Sequence, residues 1–153
     1  MSDVSASSDI SDLSEQATRH ATCVVAHGKG VLITGTAGSG KSSLALAMMA
    51  YGAKLIADDR VILRTAENHI VASAPDAIDG LIEARGIGLL QANTAKEATI
   101  KLVIDLDRSE KDRLPPIRYT MLMGQLLPLL YKVGTPHFPA AVMQYLACGR
   151  QGE

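Results

Sequence analysis

The chain has 153 residues, 47% hydrophobic and 20% charged, with a formal net charge of −1. That length fits one domain, and 15 Lys plus Arg against 16 Asp plus Glu leave no basic footprint for nucleic acid. One Phe, four Tyr and no Trp make no stacking platform for single strands, and no apolar run approaches the ~20 residues that span a bilayer.

Residues 1–18 (MSDVSASSDISDLSEQAT) are rich in Ser and Asp and too poor in apolar residues to build a core, so they read as a flexible N-terminal tail. Within it, Asp9 or Ser11 could cap a short helix over Asp9–Gln16. The start lacks a signal peptide's charged and apolar regions. Cys23 and Cys148 lie far apart without a CxxC pair and read as reduced thiols. The expectation is a cytoplasmic protein with no membrane and no nucleic-acid partner.

The domain is expected over 19–149, with 150–153 as a C-terminal tail. ATCVVA and GVLITG predict two strands joined by a tight turn at His27-Gly28-Lys29-Gly30. A Gly-rich loop starts at Gly35, Ser42–Tyr51 reads as a helix stopped by Gly52, and KLIADD reads as the next strand. VILRTA and HIVASA predict a hairpin turning at Glu67-Asn68, and ATIKLVIDL a further strand. Arg113–Pro116 breaks the pattern. MLMGQLLPLLY suits a core or an interface equally, and Ala140–Leu146 predicts a last helix. Strands outnumber helices. The expected fold class is α/β, a P-loop-containing mixed sheet with a central phosphate-binding loop and helix and substantial antiparallel strands.

Gly35-Thr36-Ala37-Gly38-Ser39-Gly40-Lys41-Ser42 fits G-x-x-x-x-G-K-[ST], the phosphate-binding loop. Glycines let successive backbone N–H groups approach phosphate oxygens, and the helix N-terminus that follows favours an anion. Lys41 can reach the β- and γ-phosphates, and the Ser42 hydroxyl can join a Mg²⁺ shell. Chance produces this pattern in roughly 0.5% of chains of this length at average residue usage, and the required strand and helix flank it.

Asp58 and Asp59 end an apolar strand, where carboxylates can serve a metal or accept a proton. In LIEARGIGLLQA (81–92), Glu83 and Arg85 have the same parity and would share one strand face. A surface ion pair at a strand end is the other reading of that spacing.

The loop GTAGSGKS, the strand end LIADD and the segment IEARGIGLL, in this order, resemble the HPr kinase/phosphorylase family. Ala26-His27-Gly28 resembles the family's His-Gly before the loop, and the likeness covers about residues 20–105. The length resembles the family's short form, catalytic domain only. The resemblance implies ATP and Mg²⁺ as cofactors and phosphorylation of a serine of the phosphocarrier protein HPr. It also implies a reverse reaction with inorganic phosphate that yields pyrophosphate. It assigns the phosphates to Lys41 and the loop 35–42, and Mg²⁺ to Ser42 and Glu83, with Asp58 as a lesser candidate. Asp59 would be the general base, His27 the histidine beside it, and Arg85 the signature arginine offsetting phosphate charge. It suggests a homo-oligomer, hexameric by resemblance.

The chain departs from the family pattern in places. Thr36 stands where many relatives are acidic, and Gly52-Ala53 replaces a Gly-His. Longer members carry a late arginine-containing loop, and the nearest stretch here, Leu127–Lys132, has no arginine. Two other readings of the loop are a P-loop kinase of a small molecule and an ATP-sensing module without turnover.

Overall fold

In the computed structural model, which describes residues 15–153, the chain runs β1 (Gln16–Arg19), β2 (Thr22–Ala26), β3 (Lys29–Thr34), α1 (Lys41–Ala50), β4 (Lys54–Ala57), β5 (Val61–Ala66), β6 (His69–Ser73), β7 (Leu81–Ala84), β8 (Gly88–Gln91), β9 (Glu97–Ser109), β10 (Arg118–Leu122), β11 (Gln125–Lys132) and α2 (Phe138–Cys148). Nine strands form one mixed sheet in the order β1-β5-β6-β9-β3-β2-β4, with β11 and then β10 attached beside β9; β7 and β8 form a separate hairpin.

β9 is the spine. Its start pairs antiparallel with β6, its second half pairs parallel with β11, and its other edge pairs parallel with β3. A register shift falls between Gly30 and Val31, opposite Ile100 and Leu102. The extra β9 residue breaks the two-residue alternation, so Ile100 and Leu102 pack into different cores, one on each face of the sheet. Gly30 allows this close approach, because a Cβ there would lie 2.7 Å from the Thr99 carbonyl oxygen.

One core joins Val31, Ile33, Leu102 and Ile104 to Leu44 and Met48 of α1 and to Phe138, Val142 and Leu146 of α2. The other joins Leu32 and Val103 to Ile56, Leu63 and Ile70. Each fully buried aliphatic side chain here contributes about 1.5–3 kcal/mol of transfer free energy. The sheet centre therefore carries the stability, and the loops at its end are free to carry chemistry.

The predicted hairpins, loop, α1 and final helix are present, with α2 longer at both ends than expected. The sheet begins at Gln16, so β1, which pairs with β5, takes up the last residues of the segment read as a tail. The helix expected over Asp9–Gln16 otherwise lies outside the described residues. At the other end, Tyr145 donates its hydroxyl to Glu153 Oε1 at 2.7 Å, which folds residues 150–153 back onto α2.

Two hairpins were not foreseen. β10 and β11 turn at Met123-Gly124, both with positive φ (46° and 81°), the geometry of a two-residue I′ turn. Methionine is no turn signal, so the apolar run concealed the reversal. The β7–β8 strands pair from Leu81↔Gln91 to Ala84↔Gly88, so the segment read as one strand is a hairpin with Arg85 in its turn.

Candidate active site

β3 ends at Thr34 and enters the Gly-rich loop directly. Gly35 has a φ of 154°, and a Cβ there would collide with Ser39 Oγ. Gly40 caps α1 with no side-chain hydrogen bond, which leaves the first-turn N–H groups available to an anion. Lys41 Nζ donates to the Gly35 and Thr36 carbonyls at 2.9 and 3.2 Å, so the lysine lies folded along its own loop. Ser39 Oγ is buried and has no partner among the described residues.

The far side of the loop is pinned from β9. Asp107 accepts the Thr36 N–H at 3.0 Å and the Thr36 hydroxyl at 2.9 Å. These two donors, with the Lys41 charge nearby, hold the Asp107 carboxyl below its ordinary range.

Beneath the loop lies Asp58, 7% exposed. Its Oδ1 accepts the Ser42 hydroxyl at 2.6 Å and the Thr22 hydroxyl at 3.0 Å, and its Oδ2 accepts the Glu83 N–H at 3.0 Å. One carboxylate thus joins α1, β2 and β7 at the end of β4. Asp59 diverges from it. β4 stops at Ala57, and Asp59 takes a left-handed conformation at φ 67°, which costs a non-glycine residue roughly 1–2 kcal/mol. The Ala21 N–H donates to the Asp59 carbonyl at 3.2 Å, and the Asp59 N–H to Thr22 Oγ1 at 3.4 Å. The Asp59 side chain stays 68% exposed, with His20 Nδ1 3.9 Å from Oδ1.

Ala37, Gly38, Gly40, Lys41, Ser42 and Ser43 line a cleft of 390 Å³ together with Asp59, Glu83 and Arg85. The loop, Asp59, Glu83 and Arg85 therefore line one cleft, although Glu83 and Arg85 do not share a strand. Arg85 sits in the turn closed by Ile87 N–H to Ala84 O at 2.9 Å.

His27 is corrected. It occupies the β2–β3 turn, at the end of β2 opposite Thr22, and five strand steps put it about 16 Å from there. The histidine beside Asp59 is His20. The antiparallel pairing Cys23↔Ala57 explains this, because it brings the start of β2 to the end of β4. Had that pairing been anticipated, it would have pointed to His20 and Thr22. The stretch Leu127–Lys132 is likewise no loop. It lies in β11, and Leu130 packs on the core beneath α2 rather than lining the cleft.

Among the described residues, no group of three or more His, Cys, Asp and Glu gathers as a metal cage. Mg²⁺ seldom uses one. It takes one or two carboxylates, water and substrate phosphates, all oxygen donors. Ser42 Oγ in contact with the buried Asp58 carboxylate, at the foot of the loop, fits that donor set, and Glu83 is a further acid on the cleft wall.

The family model described as HPr Serine kinase C-terminal domain matches residues 11–121. The HPr kinase/phosphorylase of Lacticaseibacillus casei (strain BL23) is 32% identical over 161 residues, covering 88% of this chain and 50% of its own length. That of Caldicellulosiruptor bescii is 42% identical over 132 residues, covering 78% and 42%. The chain spans about half the length of the curated relatives it matches. A solved structure described as the Hpr(Ser) kinase/phosphatase from Coxiella burnetii superposes with a TM-score of 0.73 at 26% identity, covering 86% of this chain and 94% of that one.

Proposed function

The chain belongs to the HPr serine kinase C-terminal domain family, and on that premise we propose that it transfers the γ-phosphoryl group of ATP to a serine of the phosphocarrier protein HPr. The observation that carries the reading is the division of labour between neighbouring acids, Asp58 buried against the loop serine and Asp59 open to the cleft. A nucleotide sensor without turnover has no need of such a base, and the match to a serine-kinase family disfavours a small-molecule acceptor.

ATP phosphates lie along the N–H groups of 35–42, and Lys41 exchanges the Gly35 and Thr36 carbonyls for phosphate oxygens. Ser42 and Asp58, with Glu83, hold Mg²⁺, which when bound offsets phosphate charge. The HPr serine Oγ enters from the open side. As its bond to the γ-phosphorus forms and the bond to the β-phosphate oxygen breaks, its proton passes to the Asp59 carboxylate. General-base assistance of this kind contributes about 10²–10⁴-fold. His20 lies 3.9 Å from the Asp59 carboxylate and supports it electrostatically when protonated, and Arg85 offsets phosphate charge in the cleft. In the opposite direction, with inorganic phosphate in place of ADP, a phosphate oxygen bonds to the phosphoserine phosphorus, the serine Oγ–P bond breaks as Asp59 returns the proton to Oγ, and pyrophosphate leaves.

The reading carries a cytoplasmic setting and a homo-oligomer, for which the exposed Tyr119, Met121 and Leu126 of the β10–β11 hairpin offer apolar surface. No helix among the described residues is long and apolar enough to cross a membrane. The test is label transfer from the γ-phosphate of ATP to purified HPr, beside a metabolite pool and a reaction without acceptor.

A further inference from the structure

Thr22 is a buried polar side chain that none of the roles above uses. It is fully buried at the first position of β2, and its hydroxyl is saturated by the acid pair. It donates to Asp58 Oδ1 at 3.0 Å and accepts the Asp59 N–H at 3.4 Å. Its neighbour Ala21 donates to the Asp59 carbonyl. Both peptide groups of the left-handed Asp59 are therefore held by Ala21 and Thr22, and Oδ1 of Asp58 is shared between the Thr22 and Ser42 hydroxyls.

We propose that Thr22 is a positioning residue for both acids, fixing the Asp58 carboxylate for the metal and turning the Asp59 side chain out to the acceptor serine. The inference rests on the functional reading above. The Thr22 hydroxyl is a partner to a metal-facing carboxylate, a class of contact whose loss typically costs 10–100-fold in metal affinity. Valine has the shape of threonine without the hydroxyl, and it leaves the Asp59 N–H and one lone pair of the buried Asp58 carboxylate without their protein partner.

The test is calorimetric titration of ATP into the full chain over a series of Mg²⁺ concentrations, for the parent, Thr22→Val and Thr22→Ser. Metal-free ATP binding, which depends on the loop and Lys41, should be unchanged in all three. In Thr22→Val the Mg²⁺ concentration giving half of the metal-dependent gain should rise about 10-fold, and Thr22→Ser should restore most of it. Thr22→Ala, which removes the hydroxyl without the valine methyl, carries the same expectation if the valine variant does not fold. A hydroxyl-free variant with a lowered melting temperature but a Mg²⁺ titration overlaying the parent's overturns the proposal, because a merely structural threonine would behave that way. A parent without metal-dependent ATP binding overturns the functional reading and this inference with it. A binding parent overlaid by the variant overturns this inference alone.

Discussion

The Ser42 hydroxyl donates to Asp58 Oδ1 at 2.6 Å. This contact ties the first turn of α1 to the end of β4, and it separates the roles of two acids that are adjacent in sequence.

Asp59→Asn should bind Mg-ATP much as the parent does but transfer phosphate about 10²–10⁴-fold more slowly. Asp58→Asn should act differently, on stability and the metal response rather than on the proton transfer. An amide cannot accept from Ser42, Thr22 and the Glu83 N–H at once, so the variant loses about 1–3 kcal/mol of stability and weakens the metal response. Denaturant melts alongside Mg²⁺ titrations of both variants check the pair. An Asp58→Asn that melts and titrates like the parent would contradict the assignment.

The two histidines should behave oppositely. His20→Ala removes the side chain 3.9 Å from Asp59 and should lower kcat for phosphotransfer several-fold with little change in ATP affinity. His27→Ala, at the distant turn, should leave kinetics unchanged. Steady-state assays of both variants decide it, and a slow His27→Ala enzyme would restore the earlier placement.

Asp107 predicts a pH dependence. Its carboxyl is held below its ordinary value of 3.8 by Thr36. A group depressed in the folded state stabilises above its unfolded pKa and loses that contribution as pH falls through the folded pKa. Asp107→Ala should thus melt below the parent at pH 7, and the gap should close once the pH falls below the ordinary carboxylate range. A gap that stays constant down to strong acid would rule out the charge-assisted pin.

Leu130→Arg should not supply the missing late arginine. Leu130 packs against the core under α2, so the charge would be set among apolar groups and cost about 1–3 kcal/mol. Phosphate-dependent loss of phospho-HPr should show no gain in this variant, and thermal melts should show the destabilisation. An increased phosphorolysis rate would mean that β11 faces the cleft.

What was legible in the sequence was local. Gly35–Ser42, the strands flanking it and the Glu67-Asn68 hairpin have short-range signals, glycine spacing and alternating β-branched residues. The fold class followed from them. What was not legible depended on strand pairing across long separations. Nothing near His20 or Thr22 shows that the start of β2 lies against the end of β4, and the His27-Gly28 pair, which resembles the family's His-Gly, points to the wrong histidine. The Asp107 pin requires β9 beside β3, and the Met123-Gly124 reversal puts a methionine where asparagine is usual.

The most direct test of the central claim is to map phosphorylated residues on HPr after incubation with this chain, ATP and Mg²⁺. The account predicts phosphate on serine, absent with Lys41→Ala, which should also lose roughly 10–100-fold in ATP affinity as a charged hydrogen-bond donor is removed. It predicts little with Asp59→Asn. Unmodified HPr in the presence of a chain that binds Mg-ATP normally would contradict it.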